Sequence, residues 1–359
     1  MPESTDRPAD AGLPTPGLTA AIGRLGAEDP ADREGAEAAI MALGADAVAG
    51  LVYALTDPRL ALPARMRAGR LLGLLGDPRL TGPEAVGALV PVAGGAFVMG
   101  GVPGEPEAAT NALPQHDVEL PTYATSRWLV TNQAYSLFVE GGGYGDDTVW
   151  TEEGFAWREA AGVSAPHYWR RAPDLPNTPV VGVSWFEAMA YCRWLTRRMR
   201  DRGELDAGEA IRLPTEAEWE KAARGGLTLD RRRSMRNPLP RRHFPWGDGF
   251  LPGVSNSAES GLATASPVGM FPEGQGPYKI DDLGGNVIEW CTSRPIAYPY
   301  HAGDGREDLH GQPRSYRVAR GGAWPFNADA ARCAYRHWYH ADFRGGMIGI
   351  RLVKGRRPA

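Results

Sequence analysis

Beyond about Leu89, short apolar stretches alternate with glycine and proline. Such punctuation fixes turns and denies a chain long regular elements. The 46 glycines and 31 prolines among 359 residues stand well above the roughly 12% of average usage. The tryptophan count of 11 is also high. These features predict a loop-dominated fold held by aromatic packing rather than a helix bundle.

The texture differs before residue 88. Ala36–Leu43, Val48–Leu55 and Ala64–Leu75 carry apolar residues at helical spacing. Two near-identical tails, Leu55-Thr56-Asp57-Pro58-Arg59-Leu60 and Leu75-Gly76-Asp77-Pro78-Arg79-Leu80, close two of these segments. Proline cannot continue a helix, so each Asp-Pro marks a stop. This pattern resembles a short HEAT-type helical repeat, which needs neighbours to share its core. The expected organisation is a disordered tail over 1–17, a helical segment over 18–88 and a larger domain over 89–355. Within that domain Val90–Gly100 reads as two short strands. Thr131 opens one helix, and capping boxes at Ser184 and Thr215 open two more.

Charge and cysteines narrow the function classes. A formal net charge of −4 argues against a whole-chain nucleic-acid binder, and the basic run Arg231–His243 reads as a solvated loop. No run approaches the ~18 apolar residues of a membrane span. The polar start lacks a secretory leader's apolar stretch, so a cytoplasmic protein is expected. Cys192, Cys291 and Cys333 are scattered, which gives neither a disulfide framework nor a thiolate zinc site.

Seven motifs then follow in order: Gly94-Gly95-Ala96-Phe97-Val98-Met99-Gly100, Pro179–Trp185, Arg212–Glu220, Pro245-Trp246-Gly247, Gly284–Trp290, Arg320-Gly321-Gly322-Ala323-Trp324 and Gly349–Val353. Their order and spacing resemble the formylglycine-generating enzyme (sulfatase-modifying factor) family. The resemblance implies an α+β, C-type-lectin-like fold with little regular secondary structure, here preceded by the small all-α segment. It makes Trp324 a core residue, and Arg320 and Arg351 buried partners of backbone or carboxylate groups.

Family does not settle chemistry. The resemblance implies that the formylglycine-generating oxidases hold copper with two cysteines, since soft thiolates suit Cu(I). Phe326 stands where the first would be, and Ala331 or Arg332 where the second would be. A second branch, the sulfoxide synthases, takes iron through histidines of an added helical domain, whereas residues 1–88 here contain no histidine. Iron and copper are therefore not expected. A third branch, which includes diversity-generating-retroelement variable proteins and bacterial signalling or conflict components, uses the C-terminal end of the domain for binding.

The resemblance also implies a calcium site with side chains at Asp282 and Glu289 and carbonyls at Gly285 and Val287, and a weaker second site at Asn256 and Ser257. Calcium takes six to eight such oxygens. His337, His340 and Asp342 could form a facial iron triad, although a surface of aromatic and hydrogen-bonding groups is the favoured reading. The candidate ligand-binding residues are Phe326, Asn327, Arg332, His337, Trp338, Tyr339, His340 and Arg344. The sequence thus predicts a calcium-stabilised binding module that takes a protein, peptide or small molecule on loops 325–345, with a possible protein partner for the helical arm and no membrane or nucleic-acid role. The alternative is an oxidoreductase, with non-haem iron as its candidate cofactor.

Overall fold

The computed structural model describes residues 15–82, 84–104, 111–310 and 314–356. The chain divides into two compact units at Pro78 and Arg79. The expected tail lies outside the described residues up to position 14.

The first unit is helical: α1 (Pro16–Arg24), α2 (Pro30–Leu43), α3 (Val48–Thr56) and α4 (Leu62–Leu75). Thr15 and Asp29 cap the first two, each followed by a proline in the first turn, where no N–H is missed. α1 packs on α2 and α3 on α4. Leu18, Ile22, Ile40, Leu51, Leu55 and Leu72 are buried. The first Asp-Pro-Arg tail works as a latch. The Asp57 carboxylate accepts the Arg59 N–H at 3.0 Å and its Nε at 2.9 Å, just past the end of α3.

One sequence expectation changes here. Taken through the 3-10 turn Gly44–Ala47, Pro30–Thr56 forms one helical run long and apolar enough to cross a membrane, with a mean hydropathy of 1.8 over its most apolar 18 residues. Counting uninterrupted apolar residues overlooked it. Ala36, Ile40, Leu51, Ala54 and Leu55 of this run are buried within the unit.

Among its described residues the second unit carries three small sheets. β1 (Leu89–Val92), β4 (Tyr123–Ser126), β10 (Val353–Arg356) and β5 (Glu209–Arg212) form one, in that order. The last strand of the chain thus lies between strands from near the unit's start and middle. β2 (Gly95–Met99) pairs with β3 (His116–Leu120), so the two predicted strands flanking Gly94 belong to separate sheets. The third sheet runs β8 (Arg336–His340), β7 (Tyr316–Arg320), β6 (Ile288–Trp290) and β9 (Ile348–Gly349), with β6 and β9 parallel.

Among the described residues four α-helices accompany the sheets: α5 (Asn132–Glu140), α6 (Glu152–Ala161), α7 (Trp185–Asp201) and α8 (Glu216–Arg224). Thr131 caps α5, and both predicted capping boxes are present. α6 escaped the sequence reading, although Thr151 followed by Glu152 and Glu153 is a start signal. After α8 the only helical pieces among the described residues are short 3-10 turns.

α8 is the hub. Glu218 closes its capping box and grips Arg212 of β5 with two bonds of 2.6 Å. Glu216 grips Arg336 of β8 at 2.5 and 2.9 Å. Glu220 pairs with Arg320 of β7 and accepts the Gly100 N–H at 2.8 Å. Between them Trp219 donates to Glu289 of β6 at 2.5 Å, and Glu289 also holds Arg351 with two bonds of 2.8 Å. All these side chains are buried. Removing one partner strands an unpaired buried charge. Glu220→Ala should therefore cost about 3–5 kcal/mol in urea unfolding, whereas exposed Glu140→Ala should stay within about 0.5 kcal/mol.

Candidate ligand-binding site

β8 alternates its side chains across the sheet, so His337 and Tyr339 share one face and Arg336, Trp338 and His340 the other. The first face builds a column of near-parallel rings. Phe326 stacks on His337 with centroids 5.3 Å apart, His337 on Tyr339 at 5.5 Å, and Tyr339 on Phe343 at 4.5 Å. The interplanar angles are 16°, 13° and 9°. Trp290, buried in the core, meets Tyr339 edge-on at 6.3 Å and backs the column. All four rings are half-buried, leaving part of each in contact with solvent.

Two local features hold the rings. The Tyr335 hydroxyl and His337 Nε2 share a hydrogen bond of 2.8 Å. Gly345 lets the Phe343 ring in, because a Cβ there would stand 2.5 Å from it. Burial pushes the His337 imidazole below its ordinary value. Burial and then neighbouring Tyr335 push the Tyr339 phenol up to about 12. The site at neutral pH is therefore an uncharged aromatic surface with one imidazole and two hydroxyls.

The predicted residues separate. Phe326, His337 and Tyr339 come together. Trp338, at 37% exposure, and His340, stacked on Tyr316 at 4.2 Å, lie on the opposite face. Asn327 is exposed at the start of a 3-10 turn. Arg332 pairs with Asp329 at 3.2 Å and lies over the Phe244 ring at 5.0 Å. Arg344 is a correction to the binding list. Its guanidinium serves the buried Glu187 carboxylate at 3.0 Å and also donates to the Ala165 carbonyl. Trp324 is half-buried rather than core. Tyr335 and Phe343 are not among the predicted site residues. The period-two series Tyr335, His337, Tyr339 was the available signal.

The metal expectations are corrected by the same geometry. A strand places residues three apart on opposite faces, so His337 and His340 cannot share a triad with Asp342. Among the described residues no three His, Cys, Asp or Glu side chains cluster as a metal site. Both Glu289 oxygens accept N–H groups from Arg351 and Trp219. Asp282 and Gly285 border a cavity of about 10 Å³ in which Asp282 is the only carboxylate, and its Oδ2 accepts the Gly269 N–H at 2.9 Å. Burial and then Asp281 push the Asp282 carboxyl up to about 7. Asn256 Oδ1 accepts from the Ser260 hydroxyl at 3.0 Å, and Ser257 donates to Glu259 at 2.7 Å. These donors do not fit the implied calcium sites.

Nor do the thiols fit copper. Cys192, Cys291 and Cys333 are all buried. Burial raises each, Cys333 to about 12, so with no metal bound each keeps its proton at neutral pH.

Two measurements check this geometry. Burial raises the Glu187 carboxyl, and Arg344 pulls against that shift. Arg344→Ala should therefore cost about 3 kcal/mol in urea unfolding, while Trp338→Ala should change stability by less than about 1 kcal/mol. For His337, the folded value lies below the unfolded value of about 6.5. Its contribution to stability is present above 6.5 and lost as pH falls through the folded value. NMR titration should place the His337 midpoint below 6.5, and His337→Phe should remove that part of the acid dependence of Tm.

A family model, "Sulfatase-modifying factor enzyme 1-like domain", matches residues 78–356. Hercynine oxygenase of Mycolicibacterium thermoresistibile is 33% identical over 281 residues, 72% of this chain and 56% of that one. This chain thus spans little more than half of that relative's length. Formylglycine-generating enzyme of Streptomyces coelicolor is 31% identical over 314 residues, covering 76% and 90% of the two chains. Mouse inactive C-alpha-formylglycine-generating enzyme 2 is 31% identical over 329 residues, covering 79% and 91%. PvdO from Pseudomonas aeruginosa superposes with a TM-score of 0.50 at 23% identity, covering 74% and 93%, which supports the fold alone. The first two names belong to the branches whose chemistry the resemblance ties to iron and copper, so the expectation against those metals finds no support in the relatives. The chain belongs to the formylglycine-generating enzyme (sulfatase-modifying factor) family.

Proposed function

We propose that this protein is a ligand-binding member of the family whose recognition surface is the ring column. The column carries the reading. Four half-buried rings stand in register, fixed from behind by Trp290 and from the side by Tyr335. Rigid aromatic groups with a polar edge give contact area at small cost in side-chain entropy. They suit a protein, peptide or small molecule whose flat apolar groups lie along the ring edges and whose polar group meets Tyr335 or His337. The family itself includes a relative named as inactive, so retaining the fold does not require retaining the oxidation. Calcium has no part in this reading.

A second reading rests on the 33% identity to a hercynine oxygenase. On this view the chain is an oxidoreductase of the family.

One set of experiments separates the two. Ligand-observed NMR with aromatic fragments and short aromatic peptides should find binders. Phe326→Ala, at the end of the column, should weaken them by about 2 kcal/mol while leaving Tm nearly unchanged. Binding indifferent to Phe326→Ala and Tyr339→Ala would overturn the column. Oxygen consumption is measured after anaerobic addition of Fe(II) or Cu(I), with hercynine plus a thiol or with a cysteine peptide. Uptake with product formation and stoichiometric metal would establish the second reading instead.

A further inference from the structure

A cleft of about 820 Å³ lies between α7, β5 and the 292–309 segment. It does not include the ring column, and no residue discussed as a ligand contact lines it. Its volume is within the range of small-molecule sites. The floor is apolar: Met189, Cys192 and Ile211 are buried, and Leu309 adds a partly buried edge.

The rim is cationic. Arg193, Arg197 and Arg200 occupy positions i, i+4 and i+7 of α7, which places them along one helix face. Arg356 joins them from the end of β10. The lining carboxylates are already committed. Glu307 is half-buried and accepts hydrogen bonds from the hydroxyls of Thr292, Ser293 and Tyr300 at 2.7, 2.5 and 2.8 Å. Burial raises its carboxyl, and the hydrogen bonds from Ser293, Thr292 and Tyr300 pull against that shift. Glu209 is paired with Lys354 at 3.4 Å. Arg197 has a carboxylate partner in Asp146, but Arg200 and Arg356 have none among the described residues. Deeper in the wall, Arg212 is held by Glu218, yet its Nε is buried without an acceptor.

A solvated run of arginines needs no cavity, and an apolar pocket needs no cationic rim. We propose that this cleft binds a phosphate-bearing small molecule of nucleotide size. Its anionic end lies among Arg197, Arg200 and Arg356, and its body rests on Met189, Ile211 and Leu309. The rim recognises charge, as arginine forks do for phosphate oxygens, and the floor accounts for a body beyond the phosphate.

The probes are ADP and inorganic pyrophosphate, added to the full chain at constant ionic strength. ADP should raise Tm and titrate calorimetrically, and pyrophosphate should bind at least tenfold more weakly. The Arg200→Gln/Arg356→Gln double variant should keep the unliganded Tm and lose at least tenfold in ADP affinity. Arg231→Gln/Arg232→Gln, on the exposed basic loop, should leave that affinity unchanged. The proposal is overturned if ADP gives neither heat nor thermal shift, if pyrophosphate binds as tightly as ADP, or if the loop variant loses as much as the cleft variant. None of these residues belongs to the ring column, so the outcome is independent of the reading of that surface.

Discussion

Glu216, Glu218 and Glu220 alternate along the first turns of α8, and all three are buried. Taking a carboxylate out of water costs several kcal/mol, and only well-made hydrogen bonds offset that. Each glutamate meets the cost with an arginine from a different strand: Arg336 of β8, Arg212 of β5 and Arg320 of β7. A one-residue slip in any of these strands would turn its arginine to the other face and leave a buried charge alone. The pairs contribute less as net stability than as a constraint on register. A domain with so little continuous sheet needs that constraint from its side chains.

The constraint reaches the candidate site through β8. Arg336 opens that strand and is tied to Glu216 on the α8 side. The next residue must then face the other way, which delivers His337 and Tyr339 to the column. Trp290 reaches the same column from β6, whose Glu289 is fixed by Trp219 and Arg351. The ring surface is thus positioned by charge pairs on the far face of its own sheet. A lost pair near α8 would be felt as a loosened column before any ring was altered.

Much of the scaffold was legible from local patterns. Both capping boxes and the Thr131 start were visible because a helix start is written within four residues. The buried roles of Arg320 and Arg351 were legible from motifs. Their carboxylate partners were not, since Glu220 and Glu289 lie far away in sequence. The same distance hid the role of Arg344, whose partner Glu187 sits in a capping box read as complete without it. His337 and His340 misled for a simpler reason. Read as loop residues they could converge, whereas the strand sends them to opposite faces. At Glu289, which the resemblance assigned to calcium, the carboxylate oxygens accept arginine and indole N–H groups from residues distant in sequence.

The three cysteines have a practical corollary. Each is sealed in the packed interior, and burial holds its proton. Thiol reagents act on the exposed thiolate, so the native chain should be nearly silent to maleimides while it stays folded. A single cysteine introduced on the surface would then be the one position to take a fluorophore or spin label. The wild-type background already provides what other proteins need cysteine removal to achieve, and slow labelling of the native thiols becomes a direct clock for opening of the core.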